Sequence, residues 1–374
     1  MAAAAENTGI RSYWVPNYGP EYEVDEELKA FDETKAGVKG LLDAGVEQLP
    51  SFFVVRPQEE ASSHGASHLQ LPVIDLKGLN QSDEAERKRI IEQLREASET
   101  WGFFQIVNHG VPQQLIDDMI EGIRSFHEQL SPEEKAEYYS RDNKNKIRLT
   151  SNNLLFKQKA ADWRDTLYLD MAPNVPEPEE IPELIRDVTI KYTATIHELG
   201  RTLFKLLSEG LGLEPNLLID LGCANGQSIS GNYYPPCPQP DKTFANLPHT
   251  DPDFMTILAQ DAVGGLQVFY QNQWIDVAPV PGAFIVNIGD MLQQLITNDK
   301  LKSVLHRVLP THTASRVSVV SLFSTYDRNF DTVFGPIKEL ISEENPPLYR
   351  DLMIRDYIYH FTQKGFSALD RFRL

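Results

Sequence analysis

The feature that most constrains the fold is a change of hydrophobic period after Gly212. Before this glycine, apolar residues recur at helical spacing, whereas after it they alternate with polar residues in short segments. Pro, Gly and Asn separate these segments, as in strands joined by tight turns. Such a series predicts an antiparallel sandwich or jelly roll. The predicted strands are 228–234, 256–260, 266–270, 274–277, 283–287, 304–309 and 317–324.

The part of the chain before Gly212 is predicted to be mainly helical. Its apolar residues form amphipathic stripes with a period of 3.6. Because helices come first and strands follow, we predict an α+β protein with a β core and flanking helices. The predicted helices are 26–44, 83–100, 112–130, a short one opened by the capping-box sequence 131–134, and 181–211, and the predicted early strands are 71–75, 102–107 and 165–169.

These patterns divide the chain into four segments. Residues 58–70 are small and polar, as is typical of a linker. The predicted segments are an N-terminal helical extension with its linker (1–70), a region of helices and strands (71–212), the β core (213–330) and a C-terminal segment (331–374).

Charge and cysteine content restrict the partners and the compartment. The formal net charge of −19 disfavours binding to nucleic acid and to anionic membrane surfaces. The chain has only two cysteines, Cys223 and Cys237, which fits a reducing compartment. Residues 1–5 are too short for a signal sequence, and no apolar run reaches the roughly 18 residues that span a bilayer. We therefore expect a cytoplasmic protein that acts on a small molecule, with no signal for its oligomeric state.

Two histidines and an aspartate form a candidate metal site. His249 and Asp251 are two apart, so they project from the same face of an extended segment. His306 lies in an alternating, β-branched run typical of a strand. Two imidazoles and one carboxylate without a thiolate are the ligands of a non-haem Fe(II) oxygenase, which leaves three coordination positions open. The other histidines are expected to be surface, linker or capping groups, and His360 is the alternative ligand.

A second group of residues is suited to bind an anion. Arg316 and Ser318 share a face, and an arginine that projects into a β core needs an anionic partner. The partner is either a protein carboxylate or the remote carboxylate of a small dicarboxylic acid. The nearby metal ligands favour the second interpretation. Asn232 and Tyr234 precede a stiff proline-rich turn and can donate to the same carboxylate.

Several longer motifs surround these candidate residues. They are Trp-Gly-Phe-Phe-Gln-Ile-Val-Asn-His-Gly-Val (101–111), Asn-Tyr-Tyr-Pro-Pro-Cys-Pro-Gln-Pro (232–240), His-Thr-Asp (249–251), Gly-Gly-Leu-Gln-Val (264–268), Val-Asn-Ile-Gly-Asp (286–290), Thr-Asn-Asp-Lys-Leu-Lys-Ser-Val-Leu-His-Arg-Val (297–308) and Arg-Val-Ser (316–318). With these motifs the sequence resembles the plant 2-oxoglutarate and Fe(II)-dependent dioxygenases, from about residue 71 to 328. The stretches 28–41 and 161–167 are similar to the aminocyclopropanecarboxylate oxidase homologues, a group that includes benzoxazinoid and vindoline-type hydroxylases.

This resemblance implies a distorted double-stranded β-helix that holds Fe(II) at His249, Asp251 and His306. It further implies that 2-oxoglutarate binds the metal, with its far carboxylate on Arg316 and Ser318. Tyr234 and Asn232 would assist that carboxylate. The implied reaction consumes O2, releases succinate and CO2 and hydroxylates a small plant specialised metabolite, with ascorbate as reductant.

Two alternatives and the substrate pocket stay open at this point. An aminocyclopropanecarboxylate oxidase-like enzyme would consume ascorbate rather than 2-oxoglutarate, but the lysine that such enzymes carry upstream of the Tyr-Pro-Pro-Cys segment is missing between Lys205 and Lys242. A non-catalytic receptor could keep the same fold. Many relatives have an aromatic residue where this chain has Leu322. The predicted pocket residues are Leu322 and Val320 on the last strand and Phe156 and Trp163 in the loop 152–163.

Overall fold

The computed structural model describes residues 26–55, 69–79, 83–152, 155, 156, 158, 160–325, 333–364 and 371–374. Most of the predicted linker lies outside these residues. Short 3₁₀ turns and a π-helical segment, Met291–Ile296, connect the regular elements. The helices of the described part are α1 (Glu26–Glu33), α2 (Gly37–Asp43), α3 (Glu84–Thr100), α4 (Gln113–Gln129), α5 (Pro132–Tyr138), α6 (Arg186–Gly210), α7 (Leu217–Asp220) and α8 (Ile354–Lys364).

The strands confirm the predicted change of period, because most of them follow Gly212. Ile147–Ser151 is a strand that the sequence pattern did not predict. The strands are β1 (Val73–Asp75), β2 (Phe103–Val107), β3 (Ile147–Ser151), β4 (Asp165–Ala172), β5 (Gly226–Tyr234), β6 (Asn246–His249), β7 (Met255–Gln260), β8 (Leu266–Tyr270), β9 (Gln273–Asp276), β10 (Phe284–Ile288), β11 (His306–Val308), β12 (Arg316–Ser324), β13 (Val333–Phe334) and β14 (Leu352–Met353).

Two sheets face each other and form the core of the jelly roll. The large sheet has the order β1-β2-β10-β7-β12-β5-β4-β3, and the small sheet has the order β6-β11-β8-β9. The large sheet takes strands from both predicted central segments, so their boundaries at 212 and 330 stay predictions. We call its side toward the small sheet the inner face. Inner-face residues pack against the small sheet in one apolar cluster that includes Phe103, Ile285, Tyr234, Leu266, Val268 and Val308.

Helices cover the opposite, outer face of the large sheet. Alternation along β12 sends Val317, Val319 and Phe323 to this side, where they join the largest apolar cluster. Helix α6 approaches the sheet closely at Gly200. A Cβ at this position would collide with the Phe323 ring, so the close approach requires glycine. Among the described residues, no helix combines the length and apolar composition needed to cross a bilayer.

The N-terminal extension forms two helices where the sequence predicted one. The chain turns between them, with positive φ angles at Lys35 and Gly37. Asp165 causes this break, since its carboxylate accepts hydrogen bonds from the Val38 and Lys39 amides at 2.8 Å and caps the start of α2. A Cβ on Gly37 would collide with the same carboxylate. The extension is thereby fixed to the first residue of β4.

Candidate active site

His249, Asp251 and His306 come together between the two sheets. His249 ends β6, His306 begins β11, and the two residues are paired across these strands. Asp251 follows β6, and its Oδ1 lies 3.6 Å from Nε2 of His249 and 3.7 Å from Nε2 of His306. The potential ligand atoms all lie within 4.8 Å of one another, so the three side chains could share a metal ion.

Backbone carbonyls fix the orientation of both imidazoles. Nδ1 of His249 lies 2.7 Å from the Leu247 carbonyl oxygen, and Nδ1 of His306 lies 3.1 Å from that of Val304. A carbonyl only accepts, so each Nδ1 carries the proton and each Nε2 keeps its lone pair. This is the arrangement of metal-binding histidines, whose second nitrogen donates to an outer acceptor.

The carboxylate of Asp251 is held in its charged form. Its Oδ2 accepts hydrogen bonds from Asn287 at 2.8 Å and from Thr256 at 3.3 Å. Burial raises the pKa of Asp251, but the two histidines and these hydrogen bonds outweigh burial and lower the pKa. Burial, followed by the proximity of His306, lowers the pKa of His249 to about 3. A charged carboxylate beside a neutral imidazole is the protonation state that binds a divalent cation.

The remaining histidines of the described residues are outside the ligand group, whereas His64 and His68 of the predicted linker lie outside the described residues. His360 lies on α8 against the Phe372 ring and is not part of the ligand group. His127 was predicted to be a surface or capping group, but it is buried and stacks on Tyr233, so a place at the surface is wrong. Burial, with the charges of Lys135 and Lys39, lowers the pKa of His127 to about 3 and keeps the ring neutral.

Arg316 is a buried cation at the start of β12. It is only 2% exposed, its Nη2 donates to Gln260 Oε1 at 2.8 Å, and its guanidinium lies 4.8 Å from the centre of the Tyr234 ring. Its Nε and Nη1 are buried and without a hydrogen-bond partner. No carboxylate of the described residues pairs with it, so the alternative of a protein carboxylate finds no support here. The free donors fit an anionic ligand.

Ser318 connects Arg316 with the two predicted residues of β5. Its Oγ lies 3.5 Å from the Tyr234 phenol oxygen and 3.5 Å from Asn232 Nδ2. The Asn232 side-chain oxygen accepts from Thr166 at 2.9 Å, which directs its amide nitrogen toward Ser318. All four predicted anion-binding residues therefore lie in one polar patch on the inner face.

Val320 and Leu322 follow on the same face of β12. Both are half-buried, whereas Val319, Ser321 and Phe323, which point to the outer face, are fully buried. Leu322 is paired with Thr256, the residue whose hydroxyl contacts Asp251. The two predicted pocket residues thus lie on the incompletely covered part of the inner face, beside the ligand group.

Trp163 and Phe156 lie elsewhere. Trp163 is fully buried against Phe53, with ring centres 5.1 Å apart, and its indole donates to the Pro235 carbonyl at 3.0 Å. Phe156 packs against the same cluster, and the Arg141 guanidinium lies over its ring. The N-terminal extension supplies the apolar surface that these rings cover. The structure therefore gives Trp163 a packing role and does not bring it to the inner face.

Several polar residues of the site were not singled out from the sequence. Asn287 and Arg164 stand inside motifs that were used only for the family resemblance, Val-Asn-Ile-Gly-Asp and Ala-Asp-Trp-Arg. Thr256 and Gln260 lie on a predicted strand, but only the strand pairing reveals that they adjoin Asp251 and Arg316. A register between strands far apart in the sequence would have been needed to find them.

Two family models match this chain. The 2OG-Fe(II) oxygenase superfamily model matches residues 225–325, which contain the ligand group and the polar patch. A model described as the non-haem dioxygenase in morphine synthesis N-terminal region matches residues 71–186.

Curated proteins and solved structures are similar over most of the chain. Deacetoxyvindoline 4-hydroxylase of Catharanthus roseus is 48% identical over 95% of this chain and 90% of its own length. The 1-aminocyclopropane-1-carboxylate oxidase homolog 1 of Arabidopsis thaliana is 50% identical over 91% of this chain and 93% of its own length. A crystal structure of JOX2 in complex with 2OG, Fe and JA has a TM-score of 0.78 at 32% identity and covers 90% of this chain and 97% of the JOX2 chain.

Proposed function

The chain belongs to the 2OG-Fe(II) oxygenase superfamily, and we propose that it hydroxylates a small plant specialised metabolite. The family makes it an oxidoreductase that uses Fe(II), 2-oxoglutarate and O2. The extensive identity with a hydroxylase of deacetoxyvindoline supports a small organic substrate of plant origin.

The observation that carries the proposal is the buried guanidinium of Arg316, which has two unpartnered nitrogens and lies on the inner face, toward the small sheet that carries His249 and His306. His249, Asp251 and His306 would hold Fe(II) from one side. Arg316 and Ser318, with the donors of Tyr234 and Asn232, would hold the far carboxylate of 2-oxoglutarate. When bound, the metal and the cosubstrate supply the oxidant that removes a hydrogen atom from the substrate.

The inner face itself would orient the substrate and exclude water. Val320, Leu322 and Leu258 offer apolar surface that the protein leaves partly uncovered next to the ligand group. Covering this surface with an apolar substrate removes water from the reacting atoms and protects a reactive intermediate from side reactions. Phe156, which packs against the cluster of the N-terminal extension, remains a proposed pocket residue.

We further propose a cytoplasmic location and ascorbate as the reductant that keeps the iron ferrous. Cys223 and Cys237 are both buried free thiols, which fits a reducing compartment. A fluorescent fusion would test the location, and turnover numbers with and without ascorbate would test the reductant.

Measuring succinate with and without 2-oxoglutarate tests the proposed function. The purified protein would be incubated with Fe(II), O2 and a plant metabolite extract, and we expect succinate and a hydroxylated product only when 2-oxoglutarate is present. Turnover that needs ascorbate but no 2-oxoglutarate would indicate an aminocyclopropanecarboxylate oxidase-like enzyme. Binding of a metabolite without any turnover would indicate a receptor.

A further inference from the structure

Two charged residues just before β4, Asp162 and Arg164, have no role in the function proposed above. Asp162 is 2% exposed, and the Arg164 side chain is 14% exposed. Asp165 is paired with Tyr233, so alternation places Arg164 beside Tyr234 on the inner face. Burying two charges is costly unless they are paired and hydrogen-bonded. Their position next to Tyr234, which is proposed to bind the cosubstrate, therefore requires an explanation.

Arg164 is bonded to Asp162 and neighbours Tyr234 of β5. Its Nη2 donates to Asp162 Oδ2 at 3.1 Å. Burial lowers the pKa of Arg164, but the attraction of Asp162 and the proximity of the Tyr234 phenol outweigh burial and raise the pKa. The guanidinium consequently stays charged beside the Asp162 carboxyl group, whose own pKa is raised by burial.

The strand register places the Arg164 guanidinium beside the Tyr234 phenol. A guanidinium has donors and no acceptor, so in a hydrogen bond between the two groups the phenol oxygen would accept from Arg164. The phenol proton would then be available to a different acceptor. Ser318 Oγ lies 3.5 Å from the phenol oxygen, in the patch where the cosubstrate carboxylate is proposed to bind. Arg164 would thereby make Tyr234 a donor to that patch.

Asp162 connects the same pair to the metal end of the site. Its Oδ1 accepts from the Leu247 amide at 2.8 Å, and the Leu247 carbonyl accepts from Nδ1 of His249 at 2.7 Å. The position of Asp162 is itself fixed, because Asn152 bonds both its amide and its carbonyl and the next amide, of Trp163, donates to the Phe244 carbonyl at 2.9 Å. The Asp162 carboxylate thus accepts hydrogen bonds from Arg164, which neighbours Tyr234, and from Leu247, whose carbonyl orients His249.

We propose that Asp162 and Arg164 are positioning residues that couple the cosubstrate end of the site to the metal end. The inference rests on the proposed function, since it assumes that Tyr234 and His249 contact cosubstrate and metal. Arg164 orients the Tyr234 donor, and Asp162 holds both Arg164 and the backbone that orients His249. Neither residue needs to touch the metal or the reacting atoms.

The test is calorimetric binding of 2-oxoglutarate to the full chain loaded with Mn(II), which reports affinity without turnover. A charge-assisted hydrogen bond contributes roughly 1.5–3 kcal/mol, so Arg164→Gln should weaken 2-oxoglutarate binding by about tenfold or more. Arg164→Lys keeps a charged donor and should recover part of this loss. Asp162→Asn should weaken Mn(II) binding as well, because it loosens the Leu247 backbone. Arg148→Gln is the matched control, since Arg148 is also a buried arginine paired with a carboxylate, Asp170 at 3.1 Å.

A double-mutant cycle separates positioning from general destabilisation. If Arg164 acts through Tyr234, adding Arg164→Gln to Tyr234→Phe should cost less than about twofold in 2-oxoglutarate affinity. An equal loss in both backgrounds, a wild-type affinity for Arg164→Gln, or an equal loss in Arg148→Gln would overturn the inference. If Arg164→Gln does not fold, the Mn(II) affinity of Asp162→Asn decides, and a wild-type value rejects the coupling. Failure of the proposed function differs from all of these, because the wild-type protein itself would then not bind 2-oxoglutarate.

Discussion

The two faces of strand β12 differ in how completely their side chains are covered and in whether a buried charge is left without partners. On the outer face, Val317, Val319, Ser321 and Phe323 are fully buried against the helical layer, and the Ser321 hydroxyl is the uncharged polar group there that lacks a hydrogen-bond partner. On the inner face, Arg316 is buried with two nitrogens unpartnered, and Val320 and Leu322 are only half-buried. Both sets of side chains come from the same nine-residue strand, so the strand's location in the sheet and its β propensity cannot explain the difference.

The difference separates residues that stabilise the fold from residues that are available to ligands. A buried donor without a partner costs about 1–3 kcal/mol, and natural proteins seldom keep one without a reason. The outer face contains the closely packed apolar layer expected of a core. The inner face combines hydrogen-bond donors without partners and apolar surface that is partly exposed. A small anion would bind the donors, and an organic molecule would cover the apolar surface. Substitutions on the two faces should therefore change different measurements.

The largest effect should follow from removing a proposed metal ligand, which the small sheet holds opposite the inner face. His306→Ala removes one of three ligands and should abolish turnover, a larger loss than the roughly 10–100-fold that changes behind a ligand cause. The measurements are iron-dependent turnover and Mn(II) affinity of the purified variant. His360→Ala is the control for removing a histidine. Retained iron-dependent turnover in His306→Ala would mean that the ligand is misassigned, and His360 would then become the next candidate.

Truncating a buried side chain on the outer face should lower the stability of the protein without weakening cosubstrate binding. Phe323→Ala leaves a cavity next to Gly200 and Phe204 and should lower the free energy of unfolding by about 3–5 kcal/mol. Urea unfolding measures this loss, and the apparent constant for 2-oxoglutarate should stay near that of the wild type. A variant of unchanged stability with weakened cosubstrate binding would remove the distinction between the faces.

An intermediate effect is expected from the buried cation of the inner face. Arg316→Ala removes a charge-assisted interaction of roughly 1.5–3 kcal/mol, which corresponds to a rise of about 10- to 150-fold in the 2-oxoglutarate constant. Mn(II) affinity should change little, because Arg316 has no contact with the ligand group. Arg148→Ala provides a comparison with a buried arginine outside the polar patch. If cosubstrate dependence is unaltered, Arg316 is a structural residue.

The sequence alone was sufficient for the features that depend on local alternation and on residue chemistry. Spacing by two placed Arg316, Ser318, Val320 and Leu322 on one side of a strand, and the structure confirms this. The types of His249, Asp251 and His306 suggested one metal site before their separation was known, and the structure brings them together.

Features that depend on distant partners could not be predicted in this way. The helix break near Lys35 is imposed by Asp165, and the burial of His127 follows from its stacking on Tyr233. Trp163 had no sequence signal for its contact with Phe53, which lies more than a hundred positions earlier in the chain. Each case depends on tertiary packing, which overrides local preference.

The smallest effect is expected at Leu322, where the inner face is only partly covered by the rest of the protein. Leu322 lies next to Thr256 and therefore near Asp251, while the proposed contacts to the cosubstrate carboxylate lie at the other end of β12. Leu322→Phe adds volume to a half-covered position, so it should change the constant for the organic substrate or the product ratio by a fewfold while the 2-oxoglutarate constant stays near that of the wild type. Val319→Phe, the matched change on the outer face, should instead reduce stability by about 1–3 kcal/mol through overpacking. Leu322 would belong to the core, and not to the pocket, if its variant lost stability as Val319→Phe does or changed both constants equally.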